Sequence, residues 1–381
     1  MKQCILIPDS FKGTLSAVEF CRLGEEAVRR HLPGCRVVTV PVADGGEGTV
    51  DCFVHALQAQ RRWVTVSGPW GEAVQAQYAV HGQTAFVEMA QAAGLPMVGE
   101  RKDPSLTTTY GVGQVIRHAV ESGCREIVVG LGGSCTNDAG TGAAAALGVR
   151  FFDASGGEFI PAGATLDRIV SYDASAARKL LKDCRVTAMC DIDNPMYGPQ
   201  GAAAIFGPQK GADSAMVALL DANLRHLAGI MQKQSRRDIA AIPGAGAAGA
   251  FGAGIVAFLD GELRSGIETV LDCVGFDALL EESDMVFTGE GRLDSQSLRG
   301  KVVVGVARRA AAKRVPVVAV VGAVGDRAEE VYTLGITSVF SINRRAEDFS
   351  VSRHKTKENF AAAMDNIMRL LAASQKKEEQ G

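Results

Sequence analysis

QCILIPDSFKGTLSAVEF, residues 3–20, begins as a short apolar run, breaks into a polar loop and continues as a helix. An unbroken apolar run of this length predicts a strand buried on both faces, as parallel sheets require. Ser16 with Glu19 three residues on predicts a capping box. From there Val18, Cys21, Leu23, Ala27 and Val28 trace one helix face up to the stop at Pro33-Gly34. RVVTVPV (36–42) predicts a second strand, ADGGEGT (43–49) a second loop and residues 50–57 a second helix.

Two strands are too few for an independent sheet, so the segment needs partners elsewhere in the chain. The last hundred residues supply the same grammar: DMVFTG (284–289), a helix over about 300–313, PVVAVVG (316–322), a helix near 327–334, SVFSI (338–342) and a closing helix over about 355–371. The charged tail AASQKKEEQG is expected to fray. Strands alternating with helices predict a doubly wound parallel sheet.

Between these ends the pattern changes. WVTVSG, AVQAQYAV and TAFVEMA read as short strands joined by glycine turns. They are followed by a helix over 112–122, the strand EIVVGL, a small-residue helix over 141–147 and the strand RVTAMCD. The expectation is an α/β protein of two domains: one parallel-sheet domain from residues 1–62 and 281–381, and a mixed α/β domain inserted as 63–280. Two sequential domains with a boundary near 240 would leave the N-terminal strands unpaired.

Composition narrows the function. The 381 residues are 47% apolar and 22% charged with a net charge of −3, which fits neither disorder nor a polyanion-binding surface, so no nucleic-acid partner is expected. No 18-residue apolar run predicts a membrane span, and the N-terminal apolar stretch is too short for a signal peptide. Nine cysteines without a C-x-x-C pair or a zinc spacing predict reduced thiols and a cytoplasmic protein.

Five polar or glycine-rich segments each follow a predicted strand: PDSFKGT (8–14), ADGGEGT (43–49), GLGGSCTNDAG (130–140), CDIDNP (190–195) and TGEGRLDSQSLRGK (288–301). Ligands of open α/β sheets bind beyond the carboxyl ends of strands, so these loops are the candidate site. In GLGGSCTNDAG the glycines would let backbone N–H groups approach an anion, with Ser134 and Thr136 adding hydroxyls; a tight strand-to-helix turn is the structural alternative. Asp191 and Asp193 stand two apart after a strand, as an oxygen-ligated divalent metal would need. Asp44 with Glu47 and Glu290 with Asp294 repeat the theme, and each pair has capping as its alternative. Lys12, Lys210, Lys301 and Arg292 lie in or beside the loops and fit phosphoryl transfer, which rests on placement and electrostatics. PGAGAAGAFGAG (243–254) reads equally as an anion loop or as a closely packed Ala/Gly helix.

PDSFKGTLSA, PVADGGEGT, GLGGSCTNDAG, CDIDNPMYGPQGAAAIFGPQKGA, PGAGAAGAFGAG and TGEGRLDSQSLRGK, in that order from residue 8 to 301, resemble the bacterial type 1 class of the glycerate kinase family. The resemblance departs at Cys135 and Ala139, where the family pattern would carry alanine and glycine. It implies ATP-dependent phosphorylation of D-glycerate to 2-phosphoglycerate in glyoxylate and sugar-acid catabolism. It also implies a flavodoxin-like domain with a second domain inserted and the active site in the cleft between them.

By motif, the resemblance implies that Asp9, Ser10, Gly45, Gly46, Glu47, Gly132, Gly133, Ser134, Thr136 and Asn137 line a substrate and phosphate site. Asn194, Lys210, Glu290, Arg292 and Asp294 would complete it. For the mechanism, the residues suggest Asp44 as the group that orients or deprotonates the hydroxyl, Lys12 and Lys301 as the catalytic cations, and Asp191 and Asp193 as the ligands of Mg2+, with the base and metal-ligand roles open to exchange. The partners expected are ATP and D-glycerate alone, with a homodimer left open. Transfer to the 3-hydroxyl or to another small hydroxy acid is the enzymatic alternative, and a non-catalytic nucleotide- or sugar-acid-binding regulator is the alternative from another class.

Overall fold

The opening strand, Gln3–Leu6, has no exposed residue. It pairs in parallel with Arg36–Thr39 on one side and Met285–Thr288 on the other. Val317–Val321 and Ser338–Ser341 extend the sheet beyond Met285–Thr288, again in parallel. Counted along the chain, the five strands stand in the order second, first, third, fourth, fifth. This is the flavodoxin-like arrangement, whose order reverses between the first and third strands and leaves a crevice at their carboxyl ends. The computed structural model describes residues 1–378 apart from Lys12, Asp44, Glu47, Gln296 and 298–300.

Side chains alternate across this sheet, so Cys4 and Leu6 face one layer of helices and Ile5 the other. On the first face, helices Ala17–His31 and Thr356–Glu378 pack against each other. The first begins with the expected capping box: Glu19 N donates to Ser16 Oγ, and the Glu19 carboxylate accepts from Ser16 N. Phe20 and Phe360 meet with ring centroids 4.2 Å apart, and Phe11 of the first loop stands 6.0 and 6.4 Å from them. Each ring so buried contributes about 1.5–3 kcal/mol, and together they fix the start of the loop that carries Asp9 and Ser10. Helix Val302–Ala312 packs on the third and fourth strands. The closing helix continues to Glu378, through most of the tail that was expected to fray, and the element near 327–334 is a 3-10 turn over Ala328–Leu334.

One compact unit takes in the two ends of the chain, up to residue 44 and from residue 267 on, with His55–Gln58; the other takes in Gly45–Val54 and Ala59–Gly266. Residues 267–280, given to the insertion by the sequence reading, fall in the first unit. Arg309 is the physical reason: its Nη2 bonds Glu268 at 2.7 Å and Asp272 at 2.5 Å, tying that segment to helix Val302–Ala312.

The second unit is built on a six-stranded mixed sheet. Gln60–Ser67, Ala73–His81 and Thr84–Glu88 form an antiparallel meander, and Glu126–Gly130, Arg185–Met189 and Glu262–Arg264 continue it in parallel. A three-stranded antiparallel sheet of Glu158–Phe159, Arg150–Phe152 and Ser171–Asp173 lies apart from it. The 22-residue helix Ser214–Ser235, which the sequence reading does not anticipate, starts at Asp213, whose carboxylate accepts from Met216 N at 2.8 Å. Its apolar residues are not confined to one face: Leu220, Leu224 and Leu227 are buried while Leu219 is exposed, so the period is blurred.

Candidate active site

At the reversal point of the first unit, the backbone leaves the sheet in a fixed way. Ile7 N and Asp9 N donate to Phe287 O and Gly289 O, both at 2.8 Å, so the first and third strands stay paired as they exit. Arg292–Leu293 then pairs in parallel with Ala323–Val324. Close approach makes this possible, because a Cβ on Gly322 would strike Gly291 O. These exits frame a cavity of about 630 Å³ that lies wholly within the first unit. Asp9, Ser10, Glu290, Arg292, Asp294 and Lys301 all stand on its wall. Lys301 stands at the N-cap position of helix Val302–Ala312, so the positive end of that helix adds to its charge.

Glu290 is the exceptional carboxylate of this wall. It is 4% exposed, its Oε1 has no hydrogen-bond partner among the described residues, and burial pushes its pKa up to about 7. The nearby charges of Asp9 and Asp294 push in the same direction, while the Ser297 hydroxyl and Lys301 oppose. A buried acceptor left without a partner costs free energy, which a ligand hydroxyl or a proton would recover. Arg292 Nε pairs with Asp294 at 3.2 Å, and Ser10 N donates to Asp9 Oδ1 at 2.6 Å.

In the second unit the glycine loops pack on each other. Gly132 N donates to Gly45 O at 2.9 Å, and a Cβ on Gly132 would strike Gly46 Cα. Beyond this contact the loop turns inward. Lys210 is 2% exposed, and its Nζ donates to Ser134 Oγ and Thr136 O, both at 2.7 Å. Burial lowers its pKa to about 8. Thr136 and Asn137 are fully buried, and Thr136 Oγ1 and both side-chain polar atoms of Asn137 have no hydrogen-bond partner among the described residues. Asp138 accepts from Thr109 N, Thr109 Oγ1, Gly140 N and Gly142 N at 2.8–3.3 Å, and burial raises its pKa. The start of helix Thr141–Leu147 is therefore closed by Asp138 rather than open to an anion. Of the predicted cradle, Gly133 is exposed and Gly132 half-buried.

PGAGAAGAFGAG packs over this loop. Ala248, Gly249 and Ala250 are left-handed, and a Cβ on Gly249 would strike Thr136 O. Ala139 is itself left-handed at φ +52°, a conformation that glycine adopts without strain. This accounts for the glycine expected there.

Asp191 and Asp193 are both exposed after strand Arg185–Met189. Asp191 Oδ1 accepts from Ser265 Oγ at 3.0 Å and Gly266 N at 2.8 Å, which orients the carboxylate. No group of three or more His, Cys, Asp or Glu that could hold a metal occurs among the described residues. Magnesium needs fewer, since it usually takes one or two carboxylates and completes its shell with water and phosphate oxygens, so the pair fits it. Asn194 builds a turn instead, its Nδ2 donating to Gln200 O at 2.8 Å. Lys12, Asp44 and Glu47 lie outside the described residues. The sequence reading passed over Asp138, legible as a carboxylate inside a glycine loop. It also passed over Asn343, Phe349 and Arg353, whose one signal was their place after the fifth strand.

The sequence profile of the glycerate kinase family matches residues 4–372. The chain is 44% identical over 368 residues to the glycerate 2-kinase of Escherichia coli (strain K12), covering 96% of this chain and 95% of that protein. It is 43% identical to a glycerate kinase of Bacillus cereus, over 95% of this chain and 96% of that one. A crystal structure of a protein assigned as glycerate kinase 2 from Salmonella typhimurium LT2 superposes with a TM-score of 0.86 at 38% identity, covering 100% of this chain and 99% of that one. No described helix is long and apolar enough to cross a membrane.

Proposed function

Since the chain belongs to the glycerate kinase family, we propose that it is a cytoplasmic enzyme that transfers the γ-phosphoryl group of ATP to the 2-hydroxyl of D-glycerate. The observation that carries this reading is the cavity at the strand-order reversal, where Asp9, Glu290 and Lys301 come from two of the loops that resemble the family pattern. The name of the Escherichia coli relative supports the 2-hydroxyl as acceptor.

In this reaction the hydroxyl oxygen forms a bond to the γ-phosphorus as the bond to the bridging β–γ oxygen breaks. The hydroxyl proton passes to a carboxylate, and ADP leaves. Asp44 is the base of this proposal. Lys301, Arg292 and Lys12 balance phosphate and substrate carboxylate charge, and Glu290 takes a ligand hydroxyl on its unpartnered oxygen. Asp191 and Asp193 would hold magnesium, which would supply neutralisation of phosphate charge.

The test is an assay of the purified chain with ATP, magnesium chloride and D-glycerate, with phosphorus NMR of the product. ADP with 2-phosphoglycerate is the expected result. 3-Phosphoglycerate would overturn the regiochemistry. Absence of turnover on D-glycerate alongside turnover on a related hydroxy acid would overturn the acceptor.

A further inference from the structure

The cavity of the first unit is larger than a three-carbon hydroxy acid needs. At about 630 Å³ it lies in the range of pockets that enclose drug-sized molecules, roughly 300–1,000 Å³. Its wall also has two chemistries. Glu290, Arg292 and Lys301 follow the third strand and are charged. Ile342, Asn343, Phe349 and Arg353 follow the fifth strand, two positions further along the sheet. With neighbouring strands about 4.8 Å apart, the two walls start roughly 10 Å from each other, a separation suited to an elongated ligand.

The fifth-strand wall offers planar surfaces. Phe349 is 67% exposed, and the Arg353 guanidinium carbon lies 5.9 Å from its ring centroid. Asn343 Nδ2 is committed to Gly322 O at 2.8 Å, which leaves its amide oxygen as an acceptor. A flat ring carrying an exocyclic amine matches both features, whereas glycerate has no face to stack.

We propose that the wall formed by residues 342–356 is the nucleobase end of the donor site, with Phe349 as its stacking surface and the phosphates running toward Arg292 and Lys301. The proposal rests on the kinase reading above, and it adds which end of the cavity takes the base. Phe349 is a binding residue here, and its contribution belongs to the affinity for nucleotide.

The experiment uses the full chain and its variants Phe349→Ala and Phe349→Trp. ADP binding is measured by calorimetry without glycerate, and KM is measured separately for ATP and D-glycerate. One base–aromatic stack predicts that Phe349→Ala weakens ADP binding and raises the KM for ATP by roughly 5- to 100-fold. The KM for glycerate should stay within about twofold, and Phe349→Trp should restore nucleotide affinity by supplying another stacking face. Unchanged ADP affinity in Phe349→Ala, or a rise confined to the KM for glycerate, overturns the proposal while leaving the kinase reading intact. Weakened ADP binding in a chain that does not phosphorylate D-glycerate supports the base site and overturns the acceptor. No ADP binding by the unsubstituted chain overturns both.

Discussion

Glu290 in the first unit and Asp138 in the second are both buried carboxylates in loops that follow a parallel strand, and burial raises the pKa of each. Their surroundings differ. Asp138 accepts four hydrogen bonds from Thr109, Gly140 and Gly142, so its charge holds a loop to a helix start. Glu290 Oε1, on the wall of a cavity, has no partner among the described residues. Polar residues in a glycine-rich loop thus serve either the fold or a ligand, and the choice depends on whether the protein already supplies their partners.

The sharpest way to break this contrast is Asp138→Ala. Removing the carboxylate orphans three buried backbone N–H groups and the Thr109 hydroxyl, and leaves Lys210 without a nearby opposite charge. The expected loss is about 3–5 kcal/mol, read as a lowered urea midpoint. A loss below about 1 kcal/mol would show that Asp138 is not a structural post.

Glu290→Gln tests the other side through pH. The folded pKa of about 7 lies above the ordinary value of 4.5, so between these two pH values the folded chain holds more protons than the unfolded chain. Stability therefore falls as pH rises from about 4.5 to 7, and the amide escapes that loss. Glu290→Gln should match the unsubstituted chain near pH 4.5 and exceed it by up to about 3 kcal/mol at pH 8. An equal pH dependence in both proteins would refute the buried, unpartnered state of Glu290.

The smallest effect is expected at Ala139. Glycine at φ +52° removes the left-handed strain of an L-residue, and Ala139→Gly should raise stability by about 1 kcal/mol in thermal unfolding. A lowered Tm would mean that the methyl group's packing outweighs the strain.

The first unit was the more legible of the two. QCIL, MVFT and VVAVV are short apolar runs that fit buried parallel strands and little else, and their loops carry the cavity residues. In the second unit, Ser134, Thr136 and Lys210 look in sequence like Ser10 and Lys301, as polar side chains in loops that also carry glycines. What covers Thr136 and Asn137 is PGAGAAGAFGAG, packed over their loop from a distant part of the chain, and a local pattern does not record that cover. Phe349 and Asn343 were invisible for another reason: a lone aromatic and a lone amide after a strand have no spacing to read. The Ser214–Ser235 helix was obscured by apolar residues on more than one face.

The opening strand of the first unit draws one neighbour from the segment that follows it and the other from far along the chain. Gln3–Leu6 and Arg36–Thr39 are made close together, but Met285–Thr288 does not exist until the chain from Val40 to Asp284 has been made. At roughly 5–20 residues per second, the opening strand waits some tens of seconds with one edge unpaired and the face opposite helix Ala17–His31 uncovered. During synthesis that strand stays half-paired, while the strands of the second unit's sheet all lie between residues 60 and 264 and are complete before Met285–Thr288 is made.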